Sequence, residues 1–308
     1  MISVVICSKN DSFLTQVKMS IQQTIGTEYE LLVWDNKKEN RGICHVYNDL
    51  ASKAKFPIIC FLHEDIMFRT SEWGSLLVSI FESDRNIGLV GVAGGKYKSR
   101  LFSGWYAGAE GLDYFNIWHE ADGRAEPLSN KSVWKSREEN VATIDGVFMA
   151  CTKEVWQEVQ FDDTFLPGFH FYDIDFSLRV AQAKTVVVTS GIDMVHCTKG
   201  GDYGNAWVVT AIDYHERMRH LLPYSVTPAD TSNVDFYVAR YWLDWLKNYE
   251  ISWSNKLLWI HKQKLRDDKR LWYSIAKFLF YKPMSLKTIH GLLKKFKIKF
   301  RKQKSTNK

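Results

Sequence analysis

Apolar and polar positions change period several times along the first hundred residues. Four apolar runs predict strands, at residues 2–8, 29–34, 57–62 and 87–93. The first and third are typical of strands buried on both faces. Helical spacing of apolar residues follows the first three runs, over residues 13–24, 43–55 and 72–83. This alternation predicts an α/β fold with a parallel, doubly wound sheet.

The rest of the chain divides into an insertion, a second α/β stretch and a helical region. Residues 94–140 are rich in Gly, Trp and Tyr and have no clear period, which indicates a loop-and-hairpin insertion over the site. Further strands are predicted at 144–151, 185–189 and 194–197, and further helices at 172–183, 206–222, 234–249 and 255–280. We therefore predict three parts: an α/β domain over 1–222, a helical C-terminal region over 223–293 and a basic tail over 294–308.

Charge is concentrated at the C-terminal end. Residues 294–308 carry seven lysines, Arg301 and no acid, so against the net +6 of the whole chain the preceding residues carry −2. A body so close to neutral does not have the positive field of a nucleic-acid-binding domain. Apolar residues such as Phe296, Ile298 and Phe300 interleave with the basic ones, which predicts a tail that lies on an anionic membrane surface. A disordered, solubilising tail is the alternative.

Composition narrows the class of protein further. Hydrophobic residues make up 45% of the chain, enough for a substantial core, and this excludes a mainly disordered protein. The five cysteines share no metal-binding spacing, which favours buried thiols in a reducing compartment. No basic leader precedes the first apolar run, and no apolar run approaches the ~20 residues of a membrane span. We expect a cytoplasmic protein, or one peripheral to the inner face of the plasma membrane.

Polar residues at the ends of the predicted strands are the first candidates for chemistry, because ligands of such sheets bind at the carboxyl ends of the strands. His63-Glu64-Asp65 follows a buried run, and strand alternation turns His63 and Asp65 the same way. A carboxylate placed there can hold Mn²⁺ or Mg²⁺, which neutralises a diphosphate. A polar strand end that only faces water is the alternative.

A second cluster of candidates lies at the start of a predicted helix. Asp173 and Asp175 follow an aromatic loop, and ordinary helix capping explains one of them. Two acids in one first turn also suit a general base held beside a pocket. His196 ends a short predicted strand, a position where a lone histidine is usually a structural hydrogen-bonding group.

Six pieces occur in a fixed order along the chain: ISVVICSKN (2–10), VWDN (33–36), FLHEDI (61–66), TIDGVF (143–148), FYDIDFSLR (171–179) and His196. Together they resemble the nucleotide-sugar glycosyltransferases of family 2. These have the GT-A fold, which implies an α/β fold with a doubly wound, mixed but mostly parallel sheet flanked by helices. The resemblance covers roughly residues 1–220. The sequence is most similar to a branch with His in place of the first Asp of the Asp-x-Asp metal motif and with a GVAG run, here at 91–94.

The resemblance implies a role for each matching residue. Nucleotide contacts fall to Ser8, Asn10, Asp35 and Asp65, metal ligation to His63, Asp65 and His196, and the acceptor or sugar floor to Asp145 and Gly146. Asp173 takes the position of the catalytic base. Four aromatic rings of the insertion are candidates to stack on sugars: Trp105 above all, and also Tyr106, Tyr114 and Trp118. For each of them, filling the core is the alternative.

The implied activity is inverting transfer of a sugar from a nucleoside-diphosphate donor, UDP by family preference, to a glycan or lipid-linked acceptor of surface polysaccharide assembly. Two departures from the family pattern leave alternatives open. His63 replaces an acid, which puts the need for metal in question. Tyr172 replaces the glutamate that usually precedes the base, so Asp175 remains a rival to Asp173. A degenerate domain that binds nucleotide or glycan without turnover is the alternative function, and a metal-dependent phosphohydrolase is a third.

Overall fold

A mixed sheet formed by residues of the α/β part lies at the centre of the fold. The computed structural model describes residues 1–121, 124–129, 133–198, 201, 203–227 and 231–281. Its strands are β1 (Ile2–Ser8), β2 (Tyr29–Asp35), β3 (Ile58–Leu62), β4 (Ile66–Phe68), β5 (Ile87–Gly91), β6 (Ala93–Gly95), β7 (Tyr97–Lys98), β8 (Asp113–Ala121), β9 (Arg124–Ser129), β10 (Glu138–Asn140), β11 (Thr143–Ile144), β12 (Phe148–Thr152), β13 (Thr185–Thr189), β14 (Met194–His196) and β15 (Tyr224–Ser225). Its α-helices are α1 (Asp11–Thr24), α2 (Ile43–Ser52), α3 (Trp73–Ser83), α4 (Lys153–Val159), α5 (Tyr172–Val180), α6 (Asn205–Arg217), α7 (Thr231–Leu246), α8 (Trp253–Lys262) and α9 (Trp272–Phe280).

The central sheet has seven strands in the order β10-β13-β5-β12-β3-β1-β2. β1 pairs in parallel with both β2 and β3, whereas β12 and β10 run antiparallel to their neighbours. The other five strands share one direction, which confirms the predicted α/β fold class with a mixed, mostly parallel sheet. The residues that follow β1, β2 and β3 therefore meet at one edge of the sheet.

A second sheet places the end of β14 beside the end of β3. Its order is β11-β6-β8-β14-β4, and β9 pairs with β8 as the hairpin of the insertion. β14 runs antiparallel to β4 with His196 opposite Ile66, and the Cys197 amide donates to the Asp65 carbonyl at 2.8 Å. This register brings residues that are far apart in the sequence, Asp65 and His196, to the same place.

Apolar side chains cover both faces of the central sheet. On one face, Trp73 is fully buried and stacks on Phe68 with ring centroids 4.1 Å apart. On the other, the cluster continues into the C-terminal helices through Trp207, Trp242 and Phe278. β15 pairs with β7 across the predicted boundary at residue 222, and the C-terminal helices share a core cluster with the α/β part. The division into parts at residues 222 and 293 stays a prediction.

Two predicted elements are interrupted in the structure. The predicted strand over 144–151 is wrong as one unit, because the Val147 amide donates to the Asp145 side chain at 2.8 Å and forms a turn between β11 and β12. The predicted helix over 255–280 is also wrong as one unit. α8 ends at Lys262, Lys264 has a φ of 55°, and α9 begins only at Trp272.

The predicted basic tail over 294–308 lies outside the described residues. Within the part of the chain that the structure describes, no helix is both long and apolar enough to cross a membrane.

Candidate functional site

Three side chains converge at the carboxyl end of β3. The Nε2 atom of His196 lies 3.1 Å from Oδ2 of Asp65, and Nδ1 of His63 lies 3.8 Å from Oδ1 of the same carboxylate. One ligand atom from each residue lies within 4.8 Å of the other two. The structure thus brings together the three residues predicted to ligate a metal, although their role as ligands stays a prediction.

The environment of this cluster keeps Asp65 ionised. Burial opposes ionisation, but the hydrogen bond from His196 and a 2.7 Å bond from the Thr198 hydroxyl hold the pKa of the Asp65 carboxyl well below its usual range. Burial lowers the pKa of His63, whose Nε2 lies 2.9 Å from the Tyr172 hydroxyl. His63 is therefore neutral near pH 7, the state in which imidazole binds metals.

These donors fit Mn²⁺ better than Mg²⁺. Imidazole is not a preferred ligand of Mg²⁺, which takes oxygen ligands and retains several waters, whereas Mn²⁺, although the weakest binder of the first-row series, accepts nitrogen ligands beside a carboxylate. With two imidazoles and one carboxylate, the set also leaves coordination positions for phosphate oxygens. His63, Asp65 and His196 would hold the ion in this arrangement.

His119 is a neighbour of the cluster that sequence reasoning missed. It lies on β8 beside His196, with ring centroids 5.4 Å apart, and its Nδ1 lies 3.3 Å from the Thr198 carbonyl. Burial, followed by the proximity of His196, lowers the pKa of the His119 imidazole. It follows no predicted strand and belongs to no motif, so only the pairing of β8 with β14 reveals it.

A cleft of about 370 Å³ opens beside the three-residue cluster, and its lining includes His63, Glu64, Asp65, Lys9 and Phe169. Lys9 spans it, with Nζ 4.0 Å from the centre of the Phe169 ring. The cleft lies at the carboxyl ends of β1 and β3, where ligands of such sheets bind. A flat base and a diphosphate are of a size that this cleft accommodates.

Glu64 holds the loop between β1 and α1 at the floor of the cleft, a function that sequence reasoning also missed. Its carboxylate accepts the Ser8 hydroxyl at 2.6 Å and the backbone amides of Lys9 and Asn10 at 3.0 and 2.9 Å. Alternation along the strand turns Glu64 away from Asp65 and towards β1. Ser8 is buried and donates to Glu64, and its predicted contribution to nucleotide binding stays a prediction.

The other predicted nucleotide contacts lie at the same edge of the sheet. The Asn10 side chain accepts the amides of Ser12 and Phe13 and caps α1. Asp35 is exposed, and its pKa is lowered by the hydrogen bond from the Lys37 amide. The buried Asn36 side chain ties the loop after β2 through bonds to the backbone of Arg41. These arrangements leave Asp35 accessible to a ligand and give Asn10 a structural task as well.

Asp173, at the start of α5, contacts the turn between β11 and β12. Its Oδ2 accepts the Gly146 amide at 3.1 Å and its Oδ1 accepts the Ile174 amide at 2.9 Å. Burial, and then the nearby charge of Asp145, raise the pKa of the Asp173 carboxyl to about 7. A carboxylate with a pKa near the working pH is suited to general base catalysis.

Asp175 points away from this turn, although only one residue separates it from Asp173. It is 2% exposed, and both Nε and Nη2 of Arg179 donate to its Oδ2 at 2.8 and 2.6 Å. Arg179 also donates to the carbonyls of Val159 and Gln160 at the end of α4. The side chain of Asp175 is thus engaged in fastening α5 to α4, which favours Asp173 as the base.

Comparison with known proteins decides the family. A model described as "glycosyltransferase like family" matches residues 3–218, more than two thirds of the chain. The chain belongs to this glycosyltransferase-like family. No curated protein matches the sequence significantly. The predicted recognition as a glycosyltransferase is thereby confirmed.

Two solved structures are similar to this glycosyltransferase. The structure of GalNAc-T7 with UDP, GalNAc and Mn²⁺ has a TM-score of 0.48 and 15% identity, and the match covers 77% of this chain and 53% of that one. The mannosyltransferase PcManGT from Pyrobaculum calidifontis, in complex with GDP-Man and Mn²⁺, has a TM-score of 0.48 and 13% identity, with 91% and 85% covered. This chain spans about half the length of the GalNAc-T7 structure.

The insertion of the glycosyltransferase supplies one ring directly to the site. Trp105 is half-buried, and its indole N–H donates to Oδ2 of Asp145 at 2.6 Å. Trp118 packs instead against the Arg69 guanidinium, 4.1 Å away. Tyr114 is 1% exposed and its hydroxyl accepts from Lys96, so the suggestion that it stacks on a sugar is wrong and core filling holds. Sequence alone did not separate these rings, because only packing decides which are accessible.

We predict that Gly146→Ala distorts this site. A Cβ at Gly146 would lie 2.0 Å from the Tyr172 hydroxyl, which is held against His63, and the buried ring cannot move away freely. Overpacking of this kind costs about 1–3 kcal/mol, so a lower melting temperature and weaker Mn²⁺ binding are expected. Gly168→Ala is the matched control, since nothing lies within 4 Å of its Cβ position. Equal stability and metal affinity in the two variants would contradict the prediction.

Proposed function

We propose that this glycosyltransferase moves a sugar from a nucleoside-diphosphate donor to an acceptor hydroxyl with inversion at the anomeric carbon. The observation that carries the proposal is the arrangement of two carboxylates around the turn at Asp145-Gly146. Asp65 lies with two imidazoles at the end of β3, and Asp173, with a pKa of about 7, lies behind the turn. One carboxylate suits the leaving diphosphate and the other suits the incoming hydroxyl.

In the proposed reaction, the acceptor oxygen forms a bond to the anomeric carbon while the bond from that carbon to the diphosphate oxygen breaks. Asp173 accepts the proton of the acceptor hydroxyl, and the amides of Gly146 and Ile174 hold its carboxylate in place. Attack opposite to the leaving group inverts the configuration. When bound, Mn²⁺ would neutralise the charge that develops on the diphosphate.

The finer features of the proposal concern the substrates. A UDP-sugar is the proposed donor, and a glycan or lipid-linked glycan of surface polysaccharide assembly is the proposed acceptor. Both choices rest on the resemblance to family 2 transferases, while the family match supports glycosyl transfer as such. The cytoplasmic location belongs to the same proposal.

A row of partly exposed rings supports an acceptor that is a glycan. This aromatic row consists of Trp105, Tyr106, Tyr241 and Trp245, with successive ring centroids 5.5, 4.6 and 6.1 Å apart. It begins at the ring bonded to Asp145 and continues along α7. Aromatic faces with polar edges suit the alternating apolar and hydroxyl surfaces of sugars.

Removal of an outer ring of the aromatic row should weaken acceptor binding only. Trp245→Ala is expected to raise the acceptor KM by about 3- to 10-fold, since an aromatic contact contributes about 0.5–1.5 kcal/mol beyond its buried area, and to leave donor hydrolysis unchanged. Tyr237→Ala is the control, because Tyr237 is a comparably exposed ring of α7 outside the row. An unchanged acceptor KM in Trp245→Ala would remove the row from the proposal.

The test of the proposed function is a panel of UDP-, GDP- and dTDP-sugars incubated with the protein and Mn²⁺, with release of the nucleoside diphosphate as the readout. Slow hydrolysis of one donor class, abolished by a chelator, is expected. Nucleotide binding without any turnover would favour the degenerate binding domain. Hydrolysis of simple phosphomonoesters instead would favour a phosphohydrolase, and either result would overturn the proposal.

A further inference from the structure

The outward face of α9 is apolar. Trp272 is 56% exposed, and Tyr273 and Phe280 are each 72% exposed, with the exposed Ala276 between them. Helical spacing puts these four residues on one side of α9, and we call them the aromatic face. Surface helices normally turn charged and polar residues outward, so a face of this composition indicates a binding surface.

α9 also has a second side, which packs on the core. The opposite side of α9 is buried through Ser274, Ile275 and Phe278. The Trp272 indole N–H donates to the Arg266 carbonyl at 3.0 Å, which holds the ring in its outward position. Both sides of the helix are therefore apolar, and only one of them packs on the described part of the protein.

Neighbouring residues extend this surface and give it positive charge. Trp253 of α8 is 50% exposed and contacts Phe280 with ring centroids 5.6 Å apart. The Lys277 ammonium lies 4.2 Å from the Tyr273 ring centre. Across residues 262–281 there are six Lys or Arg and two Asp, and one of those acids, Asp268, is paired with Arg270. Basic residues around exposed Trp and Tyr are typical of surfaces that contact lipid headgroups.

The sequence that follows α9 is also rich in basic residues. Residues 282–308 contain ten Lys or Arg and no acid, so against the net +6 of the chain, residues 1–281 carry −4. The positive charge of this protein is thus concentrated in the sequence that directly follows α9. A partner that complements both features must offer negative charge over a layer that accepts aromatic rings.

We propose that the aromatic face docks the protein on an anionic lipid bilayer surface. Trp272, Tyr273 and Phe280 enter the headgroup layer, and the basic residues around and after α9 attract the anionic lipids. The contact is peripheral, since no described helix is long and apolar enough to span a bilayer. This inference does not depend on the proposed function.

Vesicle flotation of the full chain tests the proposal. We expect binding to vesicles with about one-third phosphatidylglycerol, weakening as salt is added, and no binding to pure phosphatidylcholine. The triple variant Trp272→Ser, Tyr273→Ser, Phe280→Ser should bind about 10-fold less despite its intact basic segment. The matched control is Met19→Ser with Val209→Ser, which removes exposed apolar side chains from α1 and α6. Melting temperatures of all forms establish that they are folded.

A second measurement avoids the multiple substitution. Brominated lipids should quench part of the tryptophan fluorescence, and Trp272→Phe, which keeps an apolar ring, should remove that part. The proposal would be overturned if the triple variant floated with the vesicles as well as the parent does. It would also be overturned if truncation after Tyr281 abolished binding and Trp272 of the full chain was not quenched. A dimer that the triple variant dissociates, without any vesicle binding, would assign the face to a second copy of the chain and would also overturn it.

Discussion

Asp65→Asn is expected to abolish sugar transfer and Mn²⁺-dependent nucleotide binding while the fold stays intact. Asp65 supplies the one carboxylate of the three-residue cluster, and both His63 and His196 approach it. An asparagine keeps the size of the side chain and can still accept from Thr198, but it carries no charge to attract the ion. Loss of an outer-shell partner alone can lower metal affinity or activity by about 10- to 100-fold, so loss of the charged ligand should exceed this range.

Asp49→Asn is a suitable control for this experiment, because Asp49 is a carboxylate of α2 that pairs with Lys53 outside the cleft. Calorimetric titration with Mn²⁺, turnover and melting temperature should be measured on both variants. His63→Ala should reduce activity less than Asp65→Asn, since burial keeps the imidazole neutral and it brings no charge to the ion. Near-full turnover of Asp65→Asn would show that the metal assignment is wrong.

Asp173→Asn is expected to lower kcat by about 10²–10⁴-fold, the usual contribution of a positioned base, with donor affinity little changed. The asparagine can still accept the Gly146 amide, so the geometry of the turn is preserved while the proton acceptor is lost. Asp175→Asn should have the opposite profile. It removes the charge that pairs with Arg179 at a buried site, so the melting temperature should fall. The value of kcat should change little.

Measurement of both variants at saturating donor separates the two roles. A greater loss of kcat in Asp175→Asn than in Asp173→Asn would transfer the catalytic role to Asp175. The pH profile gives a further test, because kcat of the parent should fall as the pH drops through about 7, where Asp173 takes up its proton.

The free energy of unfolding should change with pH in the direction opposite to kcat: Asp173 should stabilise the fold at low pH and destabilise it at high pH. A carboxyl whose pKa is higher in the folded than in the unfolded state binds its proton more tightly when folded. Its contribution to stability is therefore present below the unfolded pKa of about 4 and is lost as the pH rises towards 7. Asp173→Asn should consequently raise the melting temperature at pH 8, as expected for a charge retained for catalysis rather than for folding.

Local patterns predicted the parts of the site that lie directly after buried strands. The runs that became β1 and β3 are apolar, and both strands are buried as such runs predict. β2, at the edge of the sheet, contains Glu30 and is only half-buried. The residues after these three strands were expected at one edge of the sheet, where Asp65, Asn10 and Asp35 lie. The same alternation predicted the α/β class, whereas the GT-A fold is what the resemblance carried by the order of the motifs implies.

Contacts between distant segments decided what those patterns left open. His119, Glu64 and Thr198 reach the site through strand pairing and hydrogen bonds to residues far away in the sequence. The sequence did not predict the break between α8 and α9. The helical spacing of apolar residues continues past Lys264, although the backbone at Lys264 is in the left-handed region.

The sequence by itself determined the α/β alternation, the family and the identity of the candidate residues, because periodicity and short motifs are properties of neighbouring positions. Only the tertiary structure decided their relations. It brought His196 to Asp65 across more than a hundred residues, and it turned Asp175 towards Arg179 while leaving Asp173 at the turn. It also directed the rings of α9 outward. Helical spacing showed that both sides of α9 are apolar, but which side is covered depends on the surfaces that α7 and α8 present to it.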